Sequence, residues 1–251
     1  MPRKDWTREE LIVAFNLYCR TPFGRIHNRN PEIIALANAI HRTPSALSWK
    51  LANFARFDPT VTDRNLSGAT HGGRLDREIW EEFNSDWNRL AFESEVLRSK
   101  FLNLQQGEAT VESFPEGRTK ETSVMVRVNQ GFFRSVILAT YQSTCCITGL
   151  AVPELLCASH IVPWSVDVRN RTNPRNGLCL NALHDRAFDR GLISIDRDLR
   201  VIIAPSIKKL RGGVEEDLLS RYEGVKIKLP HHFQPDQTLL RYHENVIFRR
   251  R

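Results

Sequence analysis

The stretch LLCASHIVPWSVDVRNRTNPRNGLCLNALHDRAFDRG, residues 155–191, decides the fold. Its first part, Leu155 to Trp164, is an apolar run ended by Pro163, which predicts a buried strand. A polar loop follows from Ser165 to Asn176, then a second apolar strand from Gly177 to Leu183. The segment HDRAFDR predicts a short helix, stopped by Gly191. The order strand, loop, strand, helix puts His160 in the first strand and Asn176 at the end of the loop. His184, Asp185 and Asp189 fall on the helix, where Asp185 and Asp189 stand at i and i+4 on one face.

Outward from this core, VMVRVNQGFFRSVILATYQSTCCITGL (residues 124–150) predicts a helix capped by Asn129 and carrying Phe132, Phe133, Val136, Ile137 and Tyr141. On the other side, LISIDRDLRVIIAP (192–205) predicts a hairpin turning at Asp196 to Asp198.

The N-terminal half reads as helical. Residues 6–19, WTREELIVAFNLYC, begin with a Thr able to cap the first N–H groups and a Glu three positions later. PEIIALANAIHRTPSALSWKLANFARFDP (31–59) holds two helical patterns joined by a tight HRTP turn, with Pro44 in the first turn of the second. Ile34, Leu36, Ala37 and Ile40 are expected to face Leu47, Leu51 and Phe54. This spacing suits an antiparallel pair that only packs, or a helix-turn-helix whose second helix enters a DNA groove with Ser45, Ser48, Lys50 and Asn53 exposed. A glycine-containing loop bearing His71 (63–76) precedes an amphipathic stretch, 77–104, with Ile79, Trp80, Phe83, Trp87 and Leu90 on one side. Residues 105–122 are polar, acidic and broken by Gly and Pro, the composition of a linker.

With 251 residues, 41% hydrophobic and 26% charged, the chain can bury one large core or two modest ones, which excludes an intrinsically disordered class. No run nears the roughly 18 apolar residues of a membrane span, and the N-terminus lacks the apolar part of a secretory signal. The expected compartment is the cytoplasm. Cys19, Cys145, Cys146, Cys157 and Cys179 are odd in number and form no C-x-x-C pair, which suits reduced buried thiols; a zinc site of Cys145, Cys146, Cys157 and Cys179 is the alternative. The net charge of +7 is concentrated beyond residue 122, where 19 basic side chains stand against 12 acidic ones. Such an excess favours polyanions through counterion release.

ASHIVPW, NPRNGLCL and HDRAFDRG, taken together, resemble the motif of the HNH endonucleases. The resemblance runs from about Val124 to Pro205, since the lead-in to CCITGL is similar to the segment before the motif in restriction-type members. It implies a ββα-metal finger, cleavage of DNA that leaves 5′-phosphate and 3′-hydroxyl ends, and a divalent metal cofactor. It further implies that the Asn176 amide braces the loop and positions the strand carrying His160.

Phosphodiester hydrolysis needs a base for the attacking water and a cation for the phosphate and leaving oxygens. His160 can be that base if a carbonyl holds its other ring nitrogen and fixes the tautomer. His184 fills the final H of the motif, while Asp185, with Asp189 one turn on, offers the oxygen ligands that Mg²⁺ prefers; an imidazole at 184 better suits a softer ion. Catalytic candidates are therefore His160, Asn176 and His184, and metal candidates His184, Asp185 and Asp189. Many members carry Asp, Glu or His just before the catalytic His, whereas this chain has Ser159, so fewer protein groups are expected on the metal and more water or phosphate. Arg169, Arg171, Arg175 and Arg186 are candidate phosphate contacts.

The expected protein is thus α+β: a helical, helix-turn-helix-like DNA-recognition domain (1–104), a linker (105–122) and a ββα-metal HNH nuclease domain (123–251). The expected activity is Mg²⁺-dependent (or Mn²⁺-dependent) hydrolysis of double-stranded DNA in restriction or defence, with a homodimer needed if each finger cuts one strand. The alternatives are a DNA-binding regulator on an inactive HNH scaffold and a nonspecific or RNA-directed nuclease.

Overall fold

The computed structural model describes residues 5–58, 73–106, 118–210 and 213–250, with 103–106 and 118–124 described by backbone alone. They fall into two units, Met1–Phe132 and Phe133–Arg251.

In the first unit, helix α1 (Arg8–Arg20) starts at the expected capping box: Thr7 Oγ1 accepts from Glu10 N, and Glu10 Oε2 accepts from Thr7 N. Helices α2 (Pro31–Ala39), α3 (Pro44–Ala55), α4 (Arg74–Asn84) and α5 (Trp87–Gln106) follow. Thr43 caps α3 and Pro44 occupies its first turn, where no N–H is needed. Phe15 of α1 is the centre of the core, with ring centroids 4.9 Å from Phe54 and 5.3 Å from Trp80. Ile79, Trp80, Phe83, Trp87 and Leu90 are all buried, but on two helices, because the chain breaks at Ser85.

The expected apolar face of α2 is corrected. Ile33, Ala37 and Ile40 point inward, whereas Ile34 is exposed. Five apolar residues in succession, Ile33 to Ala37, leave the phase of a helix open, and packing against α3 selects the stripe. Of the loop expected at 63–76, residues 63–72, His71 among them, lie outside the described residues, and Arg74 to Asp76 open α4. Of the linker expected at 105–122, residues 107–117 lie outside them, and the remainder is helical.

Helix α6 (Arg118–Thr140) crosses the division between the units. It begins well before Asn129, which is therefore internal to the helix and not its cap. In the second unit, β1 (Leu156–His160) pairs antiparallel with β2 (Gly177–Asn181), matching His160 with Gly177 and Leu156 with Asn181. Helix α7 (Ala182–Asp189) follows β2 directly, capped by the Asn181 side chain. The hairpin β3 (Ile193–Ile195) and β4 (Val201–Ile203) comes next. The described residues are mixed in class, with helices and two small antiparallel sheets.

Both strands are shorter than their apolar runs. β1 stops at His160 because the main chain of Val162 bonds to a side chain instead of a neighbouring strand. β2 stops at Asn181 because that residue turns to cap α7. Gly177 has no room for a side chain: an added Cβ would run into Ile137 and Phe133 of α6. The helix can therefore lie directly on the sheet.

Short helices at Pro205–Lys208 (α8) and Val214–Leu218 (α9) lead to α10 (Gln237–Tyr242), which Asp236 caps. A π-helical turn, His243–Ile247, ends the fold. There His243 is buried against Phe188 of α7, rings 3.6 Å apart, with Nε2 donating to the Phe188 carbonyl and Nδ1 accepting from Ser194 Oγ. Burial pulls its pKa down to about 4. No helix among the described residues is long and apolar enough to cross a membrane.

Candidate active site

His160 ends β1, and three neighbours fix its ring. Phe133 of α6 stacks on one face at 3.8 Å, Trp164 stands edge-on at 5.6 Å, and Nε2 lies 2.8 Å from the Arg171 carbonyl oxygen. A carbonyl only accepts, so Nε2 carries the proton and Nδ1 keeps its lone pair. Burial pulls the His160 pKa below its ordinary 6.5, opposed by the Arg171 bond and by the charge of Asp185. The neutral imidazole, the form able to accept a proton, is thus favoured.

Asn176 is wholly buried and uses its amide on the main chain. Oδ1 accepts from Val162 N at 2.8 Å, while Nδ2 donates to Val162 O and Asn170 O, each at 3.1 Å. Its own carbonyl accepts from Ile161 N. These bonds tie the residues after His160 to the far end of the loop. Further side chains extend the brace: Asp167 accepts from Arg169 N, Asn170 N and Asn170 Nδ2, and Asn173 Nδ2 donates to Asn170 Oδ1. The Asn170 amide, first among these, holds the Asp167 carboxyl below its ordinary range. Arg171 Nε donates to Trp164 O, and its guanidinium lies 5.1 Å over the Trp164 ring, which fixes the carbonyl that orients His160.

On α7 the adjacent residues His184 and Asp185 point in different directions, since neighbours on a helix are about 100° apart. Asp185 acts toward the strand: burial first and then the Asp185 charge raise the Cys157 thiol, and the same charge opposes the lowering of His160. Asp189 is coupled to it; burial first, and then the Asp185 charge, raise the Asp189 carboxyl. His184 is buried, with Nδ1 donating to Asn181 Oδ1 at 3.0 Å and its ring edge-on to Tyr222. Its Nε2 has no partner among the described residues. The Asp185 charge thus acts on both His160 and Cys157, whereas the His184 ring is engaged by Asn181 and Tyr222.

Ser159 is buried, and its hydroxyl has no partner among the described residues. Among those residues, no three His, Cys, Asp or Glu side chains lie close enough to hold a metal ion. This corrects the zinc alternative; Cys145, Cys146, Cys157 and Cys179 are free thiols, and burial pushes Cys179 up to about 12. The donor set nevertheless suits one hard cation, because two oxygen ligands one turn apart repel each other and leave room for water and phosphate.

Arg169 and Arg186 are exposed, whereas Arg171 and Arg175 are half-buried, the latter lying over Phe233. The expected exposure of two DNA-contact candidates in the first unit is corrected. Lys50 and Asn53 are drawn inward by Asp76, which accepts from Lys50 Nζ at 2.9 Å and from Asn53 Nδ2 at 3.2 Å. Ser48 donates to the Pro44 carbonyl, and Ser45 is exposed, accepting from Asn28. Phe133, Arg134 (which donates to the Leu156 carbonyl), Asp167 and Asn170 were not anticipated. The D-x-x-N-x-x-N spacing of Asp167, Asn170 and Asn173 was the available signal for the loop brace.

Residues 145–196 match a protein family described as HNH endonuclease, in agreement with the motif. No curated protein matches the chain.

Proposed function

We propose that this chain, whose residues 145–196 are those of an HNH endonuclease, hydrolyses phosphodiester bonds of double-stranded DNA with His160 as general base. One observation carries the reading: the Arg171 carbonyl accepts from Nε2–H and so leaves the lone pair on Nδ1, in the field of the Asp185 charge. In this reading Nδ1 removes a proton from the attacking water, and Asp185 stabilises the imidazolium formed. Asn176 acts through the loop, holding His160 and the Arg171 carbonyl in register. Asp185 and Asp189, in preference to His184, would hold a divalent cation, with Mg²⁺ suited to their oxygens. Such a cation supplies charge neutralisation at the phosphate and the leaving oxygen. Arg169 and Arg186 would contact neighbouring phosphates. A role in restriction or defence rests on the resemblance of the segment before the motif to restriction-type members.

The test is incubation of plasmid or phage DNA, modified and unmodified, with Mg²⁺, Mn²⁺ or chelator, alongside His160→Ala and Asp185→Asn. The expected result is cutting that needs metal and both side chains, with loss of about 10² to 10⁴ in rate for His160→Ala. Equal cutting by parent and His160→Ala would overturn the mechanism. A gel shift without cutting would favour the DNA-binding regulator, and preference for RNA over duplex DNA would favour the RNA-directed nuclease.

A further inference from the structure

A cleft of about 730 Å³ opens in the first unit, between the residues before α1, helix α3 and the start of α4. Its lining is apolar in the larger part, with one hydrogen-bonded polar cluster. Lys50 Nζ bonds both oxygens of Asp76, at 2.9 and 3.0 Å, and Asn53 Nδ2 and Gly73 N donate to Oδ2. The Asp76 side chain is 2% exposed and Lys50 12%. Asn53 is 9% exposed and lines the cleft, with Nδ2 engaged by Asp76 and the amide oxygen as its remaining polar group.

Two indoles line the same space. Trp6 is held by cations, with the Arg42 guanidinium 4.6 Å and Lys50 Nζ 5.1 Å from its ring. Trp49 is 66% exposed. The Arg74 side chain, 94% exposed and paired through Nε with Glu78 at 2.8 Å, lines the mouth.

An apolar side chain entering the cleft would give the Asn53 oxygen no polar partner, the Lys50 ammonium being already taken by Asp76. A free phosphate would make no use of Trp49. A nucleotide matches all three features: a flat π-face for the exposed indole, a base edge carrying donors for a carbonyl oxygen, and a phosphate for an exposed guanidinium. We propose that this cleft receives one nucleobase of the nucleic-acid substrate, stacked on Trp49, with its edge toward Asn53 and its phosphate toward Arg74. The ligand class rests on the nuclease reading above. The base can come from a single strand or be extruded from a duplex, since the recognised chemistry is the same.

The experiment uses the full chain carrying His160→Ala, so that the substrate stays intact. Oligonucleotides with one 2-aminopurine, single-stranded or in duplex, are titrated while anisotropy and 2-aminopurine fluorescence are read. The expected result is that Trp49→Ala weakens binding about tenfold and removes the 2-aminopurine change, while Trp49→Phe keeps most of both. Arg74→Ala weakens binding with the fluorescence change retained. A change confined to the single strand identifies an already unpaired base, and a change in duplex identifies extrusion. Because Trp49 and Arg74 are exposed, circular dichroism of the variants is expected to match the parent.

Unaltered affinity and an unaltered 2-aminopurine signal in Trp49→Ala would overturn the proposal. Cutting assays on chains with His160 intact separate the two readings. If the parent cuts DNA and Trp49→Ala binds like the parent, only the base cleft falls. If the parent neither binds nor cuts nucleic acid, both fall.

Discussion

The His160 imidazole lies face to face with the Phe133 ring, centroids 3.8 Å apart and planes within 11° of parallel. The stack fixes the plane of the imidazole, and the Arg171 carbonyl fixes its rotation within that plane. Phe133→Leu keeps most of the volume but gives up the flat contact. We expect single-turnover cutting to fall about two- to tenfold with DNA affinity unchanged, the range of an aromatic pair. An equal loss of affinity would mean that Phe133 supports the fold and not the ring.

The acid limb of cutting follows from the burial of His160. Its pKa lies below 6.5, so the unprotonated base persists to lower pH than a free histidine would allow. The kcat/KM profile at fixed metal is expected to bend below pH 6.5. A bend at or above that value would assign it to another group.

Gly177 is the contact point of α6 and β2. Gly177→Ala must push Ile137 and Phe133 aside, at a cost of about 1–3 kcal/mol. A lowered urea midpoint together with reduced cutting is expected, because the displaced Phe133 is the residue stacked on His160. An unchanged midpoint would show that the helix yields freely.

His243 makes stability depend on pH. Its folded pKa of about 4 is depressed from an ordinary 6.5. The neutral form is the one the fold holds, so the contribution is complete above pH 6.5 and is lost as pH falls toward 4. The difference amounts to about 3 kcal/mol. Urea melts at pH 7, 5 and 4 are expected to show this loss in the parent and a flatter dependence in His243→Gln.

Asp76 neutralises a Lys50 ammonium that is almost wholly buried. Asp76→Ala leaves that charge uncompensated and is expected to destabilise the first unit by about 3–5 kcal/mol, whereas Lys50→Met with Asp76→Leu recovers most of it. Thermal melts of the single and double variants check this, and additive losses would refute the coupling.

The elements around the motif could be read from sequence because each rests on local rules: Thr7 and Glu10 for a capping box, Pro44 for a first turn, and Gly191 for a helix end. The stacking of Phe133 and the capture of Lys50 and Asn53 by Asp76 could not, since each joins residues far apart in the chain. Ile33 and Ile34 have the same chemistry, and only packing against α3 chose between them. His184 and Asp185 were open alternatives for a related reason, because the direction of each depends on how α7 lies against β1. The Arg171 carbonyl had no signal at all, being a main-chain atom that any residue at 171 would supply.

The pinning of His243 under Phe188 bears on modularity. Arg249 N bonds to the Gly191 carbonyl, and the Ile247 carbonyl fills the space where a side chain at 191 would stand. The finger helix is therefore finished by a segment about fifty residues further along. Grafting 145–196 alone into another scaffold would carry the motif without its lid or its α6 backing. The smallest transplantable cassette runs from Phe133 to Arg249, and excision short of either end should yield a finger that is correctly spelled but unfolded.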